Sequence, residues 1–197
     1  AVEQLLTRHP RDGALLASLG HLLAQAEEDR DARATFTRAL RADDDSYEAL
    51  LGRAGVEIRR GDLGGAARSI DGAERAARQR GASSAFFARV SVARARLRFE
   101  VGDFDEARRL AEAAIAADPK CAEAHVVLAN IAIERNGDPV PHFRAAIAGT
   151  RVPPEALGRL AIRVGGSEGC TLGRAYVAAA PEGYDREDVD REMRRCR

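Results

Sequence analysis

The side chains best suited to metal or thiol chemistry here are His9, His21, His125 and His142 together with Cys121, Cys170 and Cys196. A zinc site needs three or four such ligands in paired, closely spaced patterns. None of the histidines sits in a Cys/His pattern of that spacing, so no metal site is expected. An odd number of widely spaced cysteines favours free thiols in a reducing compartment; the alternative is a Cys170–Cys196 disulfide in a periplasmic protein. The run Gly165-Gly166-Ser167-Glu168-Gly169 is rich enough in glycine to cradle a phosphate. Such a loop needs a strand before it, and without one a helix–helix turn is the expected reading. No nucleophile and base are placed together by any catalytic pattern. The chain therefore reads as non-enzymatic, with no cofactor.

Arginine is the other chemistry on offer. Residues 75–98 carry Arg75, Arg78, Arg80, Arg89, Arg94, Arg96 and Arg98 without one Asp or Glu. Across the whole chain, however, 31 basic residues balance 31 acidic ones, and every basic residue except Lys120 is arginine. The run is either a solvated face balanced by Glu100, Asp103, Asp105 and Glu106, or an anion-reading patch for an acidic peptide. Nucleic acid is disfavoured, because net charge is zero and few aromatics are present to stack bases. No apolar run is long enough to span a membrane, and no signal peptide is visible.

The elements that position these side chains are helices. Residues 102–125 read as one helix, a turn at Asp118-Pro119, and the start of the next helix. With Gly102, Asp103, Phe104, Glu106, Ala107, Ala114, Asp118 and Pro119, the stretch resembles the tetratricopeptide repeat (TPR) family. The resemblance recurs in units starting near Gly13, Tyr47, Ala88 and Ala122, spaced by 34, 41 and 34 residues. The first unit matches well through Leu16, Leu19, Gly20, Leu23, Ala32, Phe36 and Ala39. Small residues at such places let helices approach, and large ones fill the space beside them. The 41-residue interval is seven too long, about two turns at roughly 3.6 residues each. It predicts extended helices over 63–80 and 84–101, joined near Gly81. Gly61, Gly81 and Gly102 punctuate the helices, while Ser46, Ser83 or Ser84, and Asp185 are the expected N-caps.

The resemblance implies an all-α solenoid: a right-handed superhelix of stacked antiparallel helix pairs. Residues 1–150 read as repeats, with a partial unit over 1–12. Residues 151–182 read as a degenerate hairpin, and 183–197 as a capping helix that seals the stack through Tyr184, Val189 and Met193. Ala1–Arg8 read as the tail of a repeat whose first helix is missing, so a fragment or processed form of a longer protein is expected. A cytoplasmic location is the first expectation; a periplasmic or membrane-associated one is the alternative.

In this family the first helix of each unit lines the concave face. The resemblance thus implies a partner-binding groove of Leu51, Ile58, Arg89, Val92, Arg96, Phe99, Val126, Asn130 and Ile133. Its apolar members suit an amphipathic helix or an extended peptide with apolar anchors. They would instead be covered if neighbouring repeats or the C-terminal helix packed over them. The family's clamp for chaperone carboxyl termini is not matched: its places hold Ala17, His21, Gly52, Arg89 and Ala93. His125 stands where the family has an aromatic and is expected to be a packed histidine. Arg53, Arg94 and Arg98 stand at core places and need partners, Glu57 being a candidate for Arg53 or Arg94. The implied function is a monomeric interaction scaffold for another protein. The alternatives are the recognition arm of a larger enzyme and an assembly factor of a membrane complex.

Overall fold

The computed structural model describes residues 8–149, 152–180 and 185–196, and these form helices and turns without a strand. The segment read as a helix tail over 1–8 lies almost wholly outside the described residues, as does Tyr184. Among the described residues eleven helices follow one another. They are α1 (Gly13–Gln25), α2 (Asp29–Ala42), α3 (Tyr47–Arg59), α4 (Leu63–Gln79), α5 (Ser84–Glu100), α6 (Phe104–Ala117), α7 (Ala122–Glu134), α8 (Val140–Ile147), α9 (Pro154–Val164), α10 (Gly166–Ala179) and α11 (Arg186–Met193). Each odd helix from α1 to α9 packs most closely on the even helix after it, and each pair stacks on the next. The first helices α1, α3, α5 and α7 also touch in sequence, which builds one continuous face.

Packing follows the small-and-large pattern. Phe36 is wholly buried with Ala32 and Ala39, and Leu16 fills the space beside it. Further along, Ile70 packs with Ala54, Ala66 and Ala73, then Ile131 with Ala95, Ala107 and Ala111. The core is thus a file of clusters between adjacent units, as a solenoid requires.

Helices α4 and α5 run 17 residues each, against 13 for α3 and 14 for α6. That extra length accounts for the 41-residue interval. Gly61, Gly81 and Gly102 take φ of 76°, 65° and 79°, a region open to glycine at little cost. The caps differ from expectation. Ser46, Ser83 and Asp185 occupy the N-cap positions, but none donates or accepts a side-chain capping bond. Capping is done by aspartates: Asp12 accepts from the Leu15 N–H, Asp62 from Gly65 and Asp103 from Glu106.

At the far end α11 lies on α9 and α10. Val189 is fully buried with Tyr176 and Ala180, and Met193 packs beside them against Gly173. The Asp185 N–H donates to the Tyr176 hydroxyl at 2.9 Å, and burial pushes that phenol up to about 12. The cysteines correct the free-thiol expectation. Cys170 and Cys196 are joined in a disulfide, with Cα atoms 5.8 Å apart. The return of α11 over α10 brings residue 196 back to residue 170, a proximity their spacing does not reveal. Cys121 alone is free, and it is buried.

Candidate partner-binding groove

On the face built by α3, α5 and α7, two depressions adjoin. The first, of about 160 Å³, is lined by Leu51, Gly55, Ile58, Arg89 and Val92 among others. The second, of about 410 Å³, is lined by Phe99, Val126, Asn130, Ile133 and Arg159 among others. Arg59 and Arg96 belong to both. All nine residues named from the sequence therefore line one depression or the other. Their exposure differs from an open apolar stripe. Leu51, Ile58, Val92 and Val126 are only 7, 3, 5 and 3 % exposed. Neighbouring units cover most of their surface, so they form the floor, while half-buried Phe99, Ile133, Asn130, Arg89 and Arg96 form the walls. The C-terminal helix packs on α9 and α10.

The repeat register places Gly55 on the concave face with Arg96 and Asn130 without making it a partner-binding candidate, yet it shapes the first depression. It sits in the middle of α3, where glycine costs roughly 0.5–1 kcal/mol relative to alanine. A Cβ built on it meets nothing within 4 Å, so no packing constraint requires its absence. Gly52, one turn earlier, is different: a Cβ there would lie 2.3 Å from the Phe36 ring. One glycine serves the core, and the other leaves a vacancy in the groove. The sequence signals for Gly55 are its concave-face register and its place in the helix interior.

The arginine run does not make an open cationic patch. Arg80 is bidentate to Asp43 at 2.7 and 2.8 Å, Arg89 holds Glu48 at 2.8 Å, Arg94 holds Asp71 and Glu74, and Arg78 pairs with Glu74. The acids paired with these four arginines come from α3, α4 and the turn before α3, while of the nearby Glu100–Glu106 group Glu106 feels the charge of Arg98. Glu57 serves Arg53 rather than Arg94: Arg53 Nε lies 3.4 Å from Glu57, and Ser69 accepts from Arg53 while donating to Glu57. Arg59 donates through Nε to both Asp29 oxygens, at 2.9 and 3.1 Å. Arg159 donates to Asn130 Oδ1 at 2.6 Å and lies 3.6 Å from Asp185. Arg96, at the junction of the two depressions, has no ion-pair partner among the described residues.

A larger depression of about 710 Å³ lies at the N-terminal end, between His21, Leu22, Tyr47, Glu48 and Arg80. Of the sequence-named set Arg89 alone lines it, and half-exposed Leu22 lies there as well. Burial pushes the Cys121 thiol up, away from the reactive thiolate. No cluster of three metal-competent side chains exists among the described residues. His125 and His142 stack with ring centroids 6.3 Å apart, and burial lowers the pKa of both, so this pair packs as neutral rings.

Comparison with known proteins agrees with this architecture. A family profile described as Tetratricopeptide repeat matches residues 18–81 and 92–140, and the chain belongs to that family. No curated protein matches it. Among solved structures, a tetratricopeptide repeat protein from Parabacteroides merdae is similar over 98 % of this chain and 74 % of its own, with TM-score 0.67 and 14 % identity. A thermophilic TPR protein from Thermus thermophilus matches over 92 % of this chain and 98 % of its own, with TM-score 0.60 and 17 % identity. YrrB, described as a TPR protein with an unusual peptide-binding site, matches over 97 % and 98 %, with TM-score 0.50 and 14 % identity. These likenesses establish a TPR solenoid. TPR proteins bind other proteins, and no helix among the described residues is long and apolar enough to cross a membrane.

Proposed function

We propose that this chain is a non-catalytic scaffold that binds a segment of another protein along the α3–α5–α7 face. The observation that carries the reading is the vacancy at Gly55. A helix-interior glycine weakens α3, and nothing in the core requires it. It leaves room between Leu51, Ile58 and Val92 for one large apolar side chain of a partner. Phe99 and Ile133 wall a second such place one unit along. A segment with apolar residues spaced to reach both suits this face, as an amphipathic helix or an extended peptide. The unusual peptide-binding site of YrrB, a protein of similar fold, is consistent with the reading. The Cys170–Cys196 disulfide supports a compartment in which disulfides persist, hence the periplasmic alternative over the cytoplasmic one.

The test is a displayed library of 12-residue peptides selected on the purified protein. Clones enriched on the wild type should lose binding to Gly55→Leu, which fills the vacancy without touching the core, and to Phe99→Asp. Both variants should keep the wild-type circular dichroism. Enriched clones indifferent to both substitutions would place binding elsewhere.

A further inference from the structure

We infer that Arg96 is the seat for a single carboxylate of the partner segment, set between the two depressions. The inference rests on the groove reading above and adds the chemistry of the occupant. Arg59, Arg89 and Arg159 also line these depressions, and each already meets an acid of the chain: Asp29, Glu48 and Asp185. Arg96 meets none among the described residues, although it is half-buried. A half-buried guanidinium gives up part of its hydration, and a carboxylate restores its bonding, in bidentate form where geometry allows. Arg96 lines both depressions, so a carboxylate on it lies between an apolar side chain over Leu51 and Val92 and another beside Phe99.

The surroundings limit the occupant to one acid. Glu100, Glu134 and Glu155 rim the second depression, and a run of acids would meet repulsion there. The occupant is therefore a mostly apolar segment with an isolated Asp or Glu between two large apolar residues. A polyacidic tract does not fit.

The experiment uses the peptide most enriched from the displayed library, synthesised with a fluorescein label and titrated by anisotropy against the intact protein. Enriched clones should carry an Asp or Glu flanked by apolar residues. Replacing that acid by its amide should weaken binding about tenfold, as should Arg96→Gln, and the two together should cost little more than either alone. Arg96→Glu should regain affinity for the peptide in which the acid is replaced by Lys. Glutamine keeps helix propensity, so loss of helical signal in Arg96→Gln is not expected. An unlabelled hexaglutamate should not compete. Clones without an acid, or an Arg96→Gln effect under twofold, overturn the carboxylate seat. If Gly55→Leu still abolishes binding in that case, the groove reading survives alone. Indifference to both variants, or no enrichment at all, overturns both. A concentration-dependent dimer that Arg96→Gln dissolves would seat a second copy of this chain there, and likewise overturns the proposal.

Discussion

The ring of Phe36 occupies the space that a side chain on Gly52 would need: a Cβ there would lie 2.3 Å from the ring. Phe36 is wholly buried, and interiors are close-packed, so the ring cannot readily swing aside. Gly52→Ala should therefore destabilise the protein by roughly 1–3 kcal/mol through overpacking. That loss comes despite a helix-propensity gain of about 1 kcal/mol. Gly55→Ala should be neutral or stabilising, because its Cβ meets open space. Urea unfolding of the two variants checks the ranking, and a destabilised Gly55→Ala beside a neutral Gly52→Ala would contradict this account of α3.

The disulfide ties the cap to the stack. Cys170 and Cys196 are 26 residues apart, and closing a loop of that length is worth about 3.5 kcal/mol in chain-entropy terms. Cys196→Ser should lower the stability of α9, α10 and α11 by about 2–4 kcal/mol. Helices α1 to α4 should change little, since units contact mainly their neighbours. Hydrogen exchange read helix by helix separates these outcomes. Uniform loss of protection along the chain would show that the cap holds the whole stack and not its last hairpin alone.

The stacked histidines predict an acid-sensitive step. Burial lowers the pKa of His125, with the charge of His142 adding to it; burial also lowers His142, with Arg108 adding and Asp138 and Glu112 opposing. The unfolded chain therefore binds protons at higher pH than the folded one. Stability is full above the ordinary histidine pKa of about 6.5 and falls as pH drops below it. Melting temperatures measured from pH 7.5 to 5.5 should decline for the wild type and decline less for His142→Gln. Parallel curves would mean that the pair does not titrate on folding.

Local features of the fold were legible. Gly102, Asp103 and Phe104 announce a helix start, and the 41-residue interval foretells the long α4 and α5. Both rest on contacts or turns within a few residues. Misreadings cluster where partners are a unit apart in the chain. Arg89 finds Glu48 across 41 residues, Arg80 finds Asp43 across 37, and Cys170 finds Cys196 across 26. A sequence read for local charge balance assigns Arg94 to Glu57 or leaves the arginine run exposed, because stacking alone decides which acids face it. The groove residues were nameable from family register. That Leu51 and Val92 form a floor rather than a stripe depends on how closely neighbouring units approach, and Gly55 shows its vacancy only once its surroundings are seen.

The central claim is that the α3–α5–α7 face is where this protein takes its partner. Amide and methyl chemical shifts of the labelled protein, titrated with the most enriched peptide, test it most directly. Perturbations should centre on Leu51, Gly55, Val92, Arg96, Phe99 and Val126, with quiet signals from α4, α6 and α11. Shifts confined to the opposite face of α4 and α6, or to the cap around Val189, would contradict it.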